Sequence, residues 1–543
     1  MYDLILLHAP SIYDFRKKEY NGGPISDVVP STPIFEMYPL GYISFVSNLV
    51  PKGYSVKIVN LALLMLSHKG LDIKRAIKSM KAHLYGIDLH WLPHVQGAIE
   101  IAKIVKELHP ESKLVFGGLS STYFYLELMQ NYPFIDFVLR GDSTERYMPM
   151  LIDAVEEHKD YNNIPNLVWR EKGKIKENKF EIPEDNIDDV RLDYGTFIKN
   201  SIKTLDIEGN LPYKDWINNP AAITFIQKGC IHNCAYCGGC SLAYMKYYNR
   251  RKVSRRDPEK IVEELSLIKD YLSIPAFIVG DLNETGDLFK ERFFSELKKE
   301  KIDLPILFEL FNPAPEKFYK DLSSNTSEFS IEISPDTSSE MIRTATNKFY
   351  TNNALEKNIE YGRKYNAKKF DIFFSVGLPQ QDLKSTLQDA RYAGRLYKEY
   401  KNWLHIFISP LSPFIDPGSP IFENPNKYGY TFFARTLKEH YNLLNKSNNW
   451  IDSLNYETKW LKREDIAKAT DSARKLFASI KNNIDEGKDN NAQEIINNIN
   501  NINNRSNFII YPKEELTWSK YKIYNHLFPF AVSLYRILNK KRR

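Results

Sequence analysis

The stretch KGCIHNCAYCGGC, residues 228–240, holds all four cysteines of a 543-residue chain. Cys230, Cys234 and Cys237 are spaced C-x-x-x-C-x-x-C. Thiolates are soft ligands suited to iron–sulfur clusters or zinc. This spacing lets one tight loop wrap three sulfurs around a single iron–sulfur cube. An electron-transfer cluster is held by four cysteines, so three leave one iron open for a substrate or cofactor. Three other readings stand beside this one. A structural zinc site takes four ligands, usually as two separated pairs, and Cys240 would have to be the fourth in a cramped knuckle. A bacterial ferredoxin run has other spacing and a proline after its last cysteine, where this chain has Ser241. A thioredoxin-like pair, Cys237 and Cys240, would open a helix after a strand, and it leaves Cys230 and Cys234 unexplained.

Composition narrows the class. Hydrophobic residues make up 43% of the chain and aromatics 13%, ample for real cores, which excludes a disordered scaffold. A net charge of +6 is small for this length and does not argue for nucleic acid. Scarce, clustered cysteines exclude a disulfide framework and fit a reducing cytosol. The opening MYDLILLHAP has neither a basic lead-in nor a small-residue cleavage site, so it reads as a buried strand and not a signal peptide. No apolar stretch has the length needed to cross a bilayer. The expectation is a cytoplasmic protein, at most peripheral to a membrane.

The length suggests about three to four domains, fewer if one is a barrel. Over residues 1–150, LILLHAP, YSVKIVNL, HLYGIDL, KLVFGG and FIDFVLRGD read as strands, alternating with helical segments such as YISFVSNLV and GAIEIAKIVKELHP. Near-continuous apolar strands alternating with helices imply a parallel, Rossmann-like sheet covered on both faces. Residues 151–215 read as a linker with a hairpin turning at Lys172-Gly173. Residues 216–427 carry six strand candidates: AITFIQKG, PAFIVGD, PILFELFNP, FSIEISPD, KFDIFFSVGLP and LHIFISPLSP. Amphipathic segments separate them, which predicts a partial (β/α)6 barrel of the TIM type with its chemistry at the carboxyl ends of the strands. Residues 428–543 read as a helical C-terminal region, Asn-rich over 481–507 and basic at the tip. The fold class is α/β.

The cysteine loop resembles the signature of the radical S-adenosylmethionine (radical SAM) enzymes. Tyr236 occupies the aromatic position just before the third cysteine, and the loop follows the first barrel strand, as in that family. The resemblance implies a 4Fe-4S cluster on Cys230, Cys234 and Cys237, whose open iron is chelated by the amino and carboxylate groups of S-adenosylmethionine. An electron from the reduced cluster then breaks a carbon–sulfur bond, and the resulting 5′-deoxyadenosyl radical takes hydrogen from an unactivated carbon. An external one-electron donor such as ferredoxin or flavodoxin is implied. Cys240 is then a bystander or a thiol that supports the ligands without joining them. The family's Gly-Gly-Glu-like turn falls at Gly280-Asp281, a departure, with Asn283 and Glu284 close by. Glu332 and Ser334 lie on the fourth strand, where the family places polar contacts to ribose or carboxylate; Glu332 reads equally as a barrel-lining carboxylate paired with a base. Gly377 and Pro379 end the fifth strand, where the family brings backbone close to adenine, although a glycine there also simply allows a turn. The basic run Arg250, Arg251, Lys252, Arg255, Arg256 reads first as a solvated face and second as a neighbour of the cofactor carboxylate.

The first quarter of the chain, from MYDLILLHAP to RGDSTE, resembles the cobalamin (B12)-binding domain found ahead of many radical enzymes. PLGYISFVSNLVPKGYSVKIVN and KLVFGGLSSTYF carry the likeness. In that fold Gly117-Gly118 would let the backbone approach the nucleotide tail of the corrin. The motif D-x-H-x-x-G is absent from the loop HAPSIYDFRKKEYNGG. His94 and Gly97 spell H-x-x-G, but Leu92 stands where the aspartate belongs. The resemblance therefore implies cobalamin bound without the usual histidine ligand. His90 and His94 read as exposed or capping residues before they read as cofactor neighbours. A domain that has lost cobalamin is the alternative.

These readings converge on a radical SAM enzyme that functionalises an unactivated carbon. With cobalamin the reaction is methyl transfer; without it, carbon–carbon bond or ring formation, or rearrangement. Trp518, Tyr521, Tyr524, Phe528 and Phe530 precede a tip ending Lys540-Lys541-Arg542-Arg543. Such a tail suits peripheral contact with anionic headgroups, or else an ordinary packed helix. The first option points to a membrane lipid or other hydrophobic substrate, and some archaeal enzymes that build rings into tetraether lipids look like this architecture. A peptide, a small metabolite and RNA stay open as substrates, the small net charge weighing against RNA. A non-catalytic iron–sulfur or cobalamin binding protein is the alternative from another class.

Overall fold

The apolar runs of the first quarter pair as parallel strands in a computed structural model that describes residues 1–18, 23–24, 32–411 and 413–486. They are β1 (Tyr2–His8), β2 (Val56–Asn60), β3 (Ala82–Asp88), β4 (Lys113–Gly117) and β5 (Phe137–Leu139). From Leu4 onward every residue of β1 is buried, which is why the run is apolar without alternation. The spatial order is β2-β1-β3-β4-β5. The chain leaves β1 on one side for β2 and returns on the other for β3. The crevice of such a sheet opens where that order reverses, beyond His8 and Asp88 at the carboxyl ends.

The hairpin expected at Lys172-Gly173 is present, with positive φ at both residues. Its strands, β6 (Leu167–Glu171) and β7 (Lys174–Glu177), extend the same sheet antiparallel to seven strands.

All six strands expected between 216 and 427 form a second sheet. They are β8 (Ala222–Phe225), then, after a small antiparallel pair β9 (Gln227–Lys228) and β10 (Ser254–Arg255), β11 (Ala276–Val279), β12 (Pro305–Leu310), β13 (Glu328–Asp336), β14 (Phe370–Val376) and β15 (Leu404–Pro410). The six are parallel in the order β15-β14-β13-β12-β11-β8, an open arc that makes a partial barrel. Ile223, Phe277 and Leu307 are in register on adjacent strands and cluster with Val279 and Phe373, so these side chains fill the inside of the arc. The buried apolar residues of the two sheets otherwise form one continuous core.

Two expectations change. The region after Tyr428 is helical, ending in the described helix Arg463–Asp485, but it also contains a short hairpin, β16 (Tyr430–Phe432) with β17 (Tyr456–Thr458). The basic run is not a solvated face at its two ends: Arg250 is 2% exposed and Arg256 1%. Arg256 grips Glu264 with two hydrogen bonds of 2.7 and 2.6 Å. Arg250 reaches across to the first sheet, where Asp142 Oδ2 and Oδ1 accept at 2.6 and 2.9 Å and Ser143 Oγ at 3.0 Å. Burial is affordable because each guanidinium meets a buried carboxylate in two-pronged geometry. The Arg250–Asp142 pair rivets the two sheets together. No helix among the described residues is long and apolar enough to cross a membrane. The Asn-rich stretch beyond residue 486 and the aromatic, basic tail lie outside the described residues.

Candidate functional site

The cysteine loop leaves the carboxyl end of β8 and closes on the helix Ser241–Tyr247. Two turns coil it, with Cys237 N donating to Cys234 O and Cys240 N to Cys237 O. Its outer side is pinned by backbone bonds from Ala235 N to Thr346 O and from Ile421 N to Ala235 O, and by Gly238 N donating to Asp416 Oδ2 at 3.1 Å. Gly238 has to be glycine, because a Cβ there would lie 2.7 Å from Asp416 Cβ. Cys230, Cys234 and Cys237 are half-buried, whereas Cys240 is 1% exposed and packs against Ala243 and Tyr248. His232 N donates to Cys230 Sγ and Gly239 N to Cys237 Sγ.

Sulfurs sharing one zinc ion would sit about 3.8 Å apart. Among the described residues the only three ligand atoms within 4.8 Å of one another belong to Asp3, His83 and Glu156, at the far end of the first sheet; no three cysteine sulfurs approach so closely. Burial pushes the Cys230 thiol up to about 12 and raises Cys234 and Cys237 as well. A bound metal cation would have to ionise thiols held this high.

Around the loop, Tyr236 Oη donates to Asp336 Oδ2 at 2.7 Å, and Lys348 Nζ lies 2.8 Å from the same oxygen. Burial works against the Lys348 charge, but Asp336 outweighs it and holds the ammonium above its ordinary pKa. Lys348 also donates to the carbonyl of Ser334 at 2.6 Å, so Ser334 and Tyr236 converge on one buried ion pair. His232 meets Glu284 at 2.7 Å, and Asn312 Nδ2 donates to Glu284 at 3.0 Å.

Gly280 gives its N–H to Glu309 at 2.8 Å. Both oxygens of Asp281 accept backbone N–H groups, from Asn283 and Phe311, and burial pushes its carboxyl up to about 7. Asp281 thus shapes the turn after β11. Glu332 is 6% exposed on β13, in register between Glu309 and Asp371, so these carboxylates share one level of the arc. Gly377 donates to Gln381 Oε1 at 2.8 Å, and its carbonyl accepts Tyr430 Oη. A Cβ on Gly377 would lie 2.5 Å from Tyr456 Oη, so the unforeseen C-terminal hairpin seals the end of the fifth barrel strand.

A cavity of about 430 Å³ lies between the two sheets. It runs from Gly86, Val115 and Gly117 on the first sheet to Phe225, Phe277 and Val279 on the second. Its lining includes Gln227 and Lys228, immediately ahead of the cysteine loop. A Cβ on Gly117 would meet nothing within 4 Å, whereas one on Gly118 (φ +107°) would come within 2.6 Å of His90 Cα. Gly117 therefore faces the cavity, and Gly118 allows the close approach behind it. Three lining acceptors, Asp88 Oδ2, Glu145 Oε2 and Gln227 Oε1, are buried and bond to no described group. A buried acceptor of this kind is costly unless a donor meets it. The rim of a corrin carries amide N–H groups, so the lining fits that group.

The histidines meet expectation only in part. His94 stands at the N-cap of the helix Val95–Leu108, but its side chain makes no cap bond and is fully buried, with Nε2 2.8 Å from Phe35 O. His8, unforeseen, places Nδ1 2.8 Å from Asp88 Oδ1 and Nε2 3.0 Å from Phe35 O. Burial alone would lower its pKa; the Asp88 carboxylate overcomes that and raises it. Only long-range pairings reveal His8, Lys348 and Asp142 as site residues. The available hints were the histidine ending β1 and the aspartate in RGD.

Comparison with known proteins identifies two domains in the chain. Residues 28–149 match the B12 binding domain, and residues 224–393 match the Radical SAM superfamily. An uncharacterized methyltransferase of Pyrococcus horikoshii is 24% identical over 374 residues, 67% of this chain and 74% of that protein. The anaerobic magnesium-protoporphyrin IX monomethyl ester cyclase of Rubrivivax gelatinosus is 22% identical over 281 residues. That match covers 50% of this chain and 46% of the cyclase, so the chain spans about half the length of this relative. Among solved structures, the radical SAM methyltransferase TsrM from Kitasatospora setae, with cobalamin and a 4Fe-4S cluster bound, matches with TM-score 0.56 at 13% identity, over 80% of this chain and 78% of TsrM. The cobalamin-dependent radical enzyme OxsB with aqua-cobalamin bound matches with TM-score 0.57 at 11% identity, over 99% of this chain and 80% of OxsB. These structural likenesses show a shared fold. The chain thus joins a B12-binding domain to a Radical SAM domain, the pairing expected of the cobalamin-dependent radical SAM enzymes.

Proposed function

We propose that the chain is a cobalamin-dependent methyltransferase that places a methyl group on an unactivated carbon. The observation that carries this reading is the single cavity shared by the first sheet and the barrel, with the cysteine loop starting at its edge. Cys230, Cys234 and Cys237 would hold the cluster. Tyr236, Gly280, Asp281, Glu332, Ser334 and Gly377 would frame S-adenosylmethionine, Asp281 by shaping the turn and Gly377 by leaving room for the hairpin above it. Gly117 and Gly118 would admit the nucleotide tail of cobalamin. When bound, the cluster with S-adenosylmethionine supplies a carbon-centred radical, and cobalamin a methyl group. The chain contributes position and dryness. Phe225, Phe277 and Val279 keep the barrel side of the cavity apolar and exclude water. Asp336 and Lys348 hold Tyr236 beside the ligands, and Asp416 holds the turn after Cys237.

An external one-electron donor such as ferredoxin or flavodoxin completes the reading. A lipid or other hydrophobic substrate belongs to the same proposal, supported by the apolar lining and by the sequence of the tail. Contact of that tail with a membrane surface belongs to it too. Ring closure or other carbon–carbon bond formation is the second reading, favoured by the named activity of the cyclase relatives.

The test uses anaerobically reconstituted protein, a reductant and S-adenosylmethionine deuterated in its methyl group. Methyl transfer predicts 5′-deoxyadenosine together with label in the corrinoid fraction. Deoxyadenosine with no label moved would favour the second reading. Neither product would sink both and leave a binding protein.

A further inference from the structure

Three imidazoles lie near the carboxyl edge of the first sheet, and their surroundings sort them. His8 has both ring nitrogens engaged, by Asp88 and by the carbonyl of Phe35. His94 is fully buried, with Nε2 on Phe35 O at 2.8 Å and Nδ1 3.3 Å from Trp91 O. His90 differs from both. It follows β3 directly, lines the cavity, and stands edge-on to Trp91 with ring centroids 4.8 Å apart. Its backbone is fixed: the carbonyl accepts from Ser120 N and Ser120 Oγ, and Gly118 packs against its Cα. Neither of its ring nitrogens takes part in a hydrogen bond among the described residues.

An imidazole on a fixed backbone, lining a cavity with its nitrogens uncommitted among the described residues, is a metal-ligating group held ready. The loop after β1, where the usual histidine motif would stand, lacks it. We propose that His90, from the loop after β3, is the axial ligand of the cobalt. The inference rests on the cobalamin site described above. Ligation is a lone-pair donation from one ring nitrogen to cobalt, and it needs no redox partner or leaving group.

The test is electron paramagnetic resonance of the full chain loaded with cob(II)alamin, its cluster kept oxidised and therefore silent. A nitrogen ligand splits each cobalt line into a triplet. In protein grown with 15N-histidine the triplet should become a doublet, and in His90→Ala the splitting should vanish while the corrinoid is retained. His8→Gln should leave the doublet in place. An unsplit wild-type spectrum would overturn the proposal, because no nitrogen would then face the cobalt. A triplet insensitive to the label would overturn it too, by assigning the nitrogen to the cofactor's own base. If wild-type protein retained no corrinoid, the proposal would fall together with the cobalamin reading, and the corrinoid content of the sample distinguishes that failure from the other two.

Discussion

The cysteine loop and the inter-sheet cavity are built in opposite ways. The loop gathers three candidate ligands from eight consecutive residues, 230–237, and coils them by its own turns. The cavity draws its walls from Gly86, Gly117, Glu145, Gln227 and Phe277, residues of the first sheet, the barrel and the segments that follow their strands. One site is a local property of the chain; the other exists only once both sheets have docked. The two should therefore fail separately when their own residues change and together when the seam between them is broken.

The largest effect expected is at the loop. Cys230→Ala, Cys234→Ala or Cys237→Ala should abolish iron retention and leave corrinoid binding intact, while Cys240→Ala should keep the iron. Iron, sulfide and corrinoid analysis of the four variants checks this. Loss of iron in Cys240→Ala would make the loop a four-ligand site.

The seam comes next. Asp142→Ala strands the buried Arg250 guanidinium, and removing one partner of a buried pair costs about 3–5 kcal/mol. Urea unfolding should show that loss, with iron and corrinoid retention both reduced. Replacing both partners, Asp142→Leu with Arg250→Met, should recover part of the stability. A near-neutral Asp142→Ala would show that the seam is held elsewhere.

Glycine substitutions separate the cavity from its support. Gly118→Ala forces a side chain into a left-handed position against His90 and should cost about 1–3 kcal/mol. Gly117→Leu puts bulk into open space. It should leave the unfolding midpoint nearly unchanged, keep the iron, and weaken cobalamin binding by about ten-fold or more, roughly 1.4 kcal/mol. Unchanged cobalamin binding in Gly117→Leu would move the nucleotide tail away from this wall.

The smallest expected effect is a pH slope. His8 has its pKa raised above 6.5 in the folded chain, so its contribution is complete below that value and is lost as pH rises through the folded pKa. Asp88, lowered below 3.8, contributes fully above that value and loses its share only as pH falls through its own folded pKa. The wild-type advantage over His8→Gln should therefore shrink on the alkaline side, by at most about 1.4 kcal/mol per pH unit. A flat difference from pH 6 to pH 9 would mean that His8 is neutral in the native state.

The same contrast explains what the sequence disclosed. Six barrel strands, five strands of the first sheet and the turn at Lys172-Gly173 were legible because buried parallel strands leave continuous apolar runs and turns leave their own chemistry. Cys230, Cys234 and Cys237 stood out because their spacing alone draws three thiols into one short coil. Arg250 was misread because its partner Asp142 lies 108 residues away, and a guanidinium in a basic run looks solvated until a buried carboxylate faces it. β16 and β17 were missed because three-residue strands carry no periodicity. Asp281 carried a carboxylate in a suggestive place, but only the fold shows both oxygens spent on backbone N–H groups.

The central claim is that one chain holds an iron–sulfur cube on three cysteines and a corrinoid across a shared cavity. Elemental and corrinoid analysis of anaerobically reconstituted wild-type protein tests it most directly. The account predicts about four irons, about four sulfides and about one corrinoid per chain. Zinc in place of iron, or protein that takes up its full iron but no corrinoid, would contradict it.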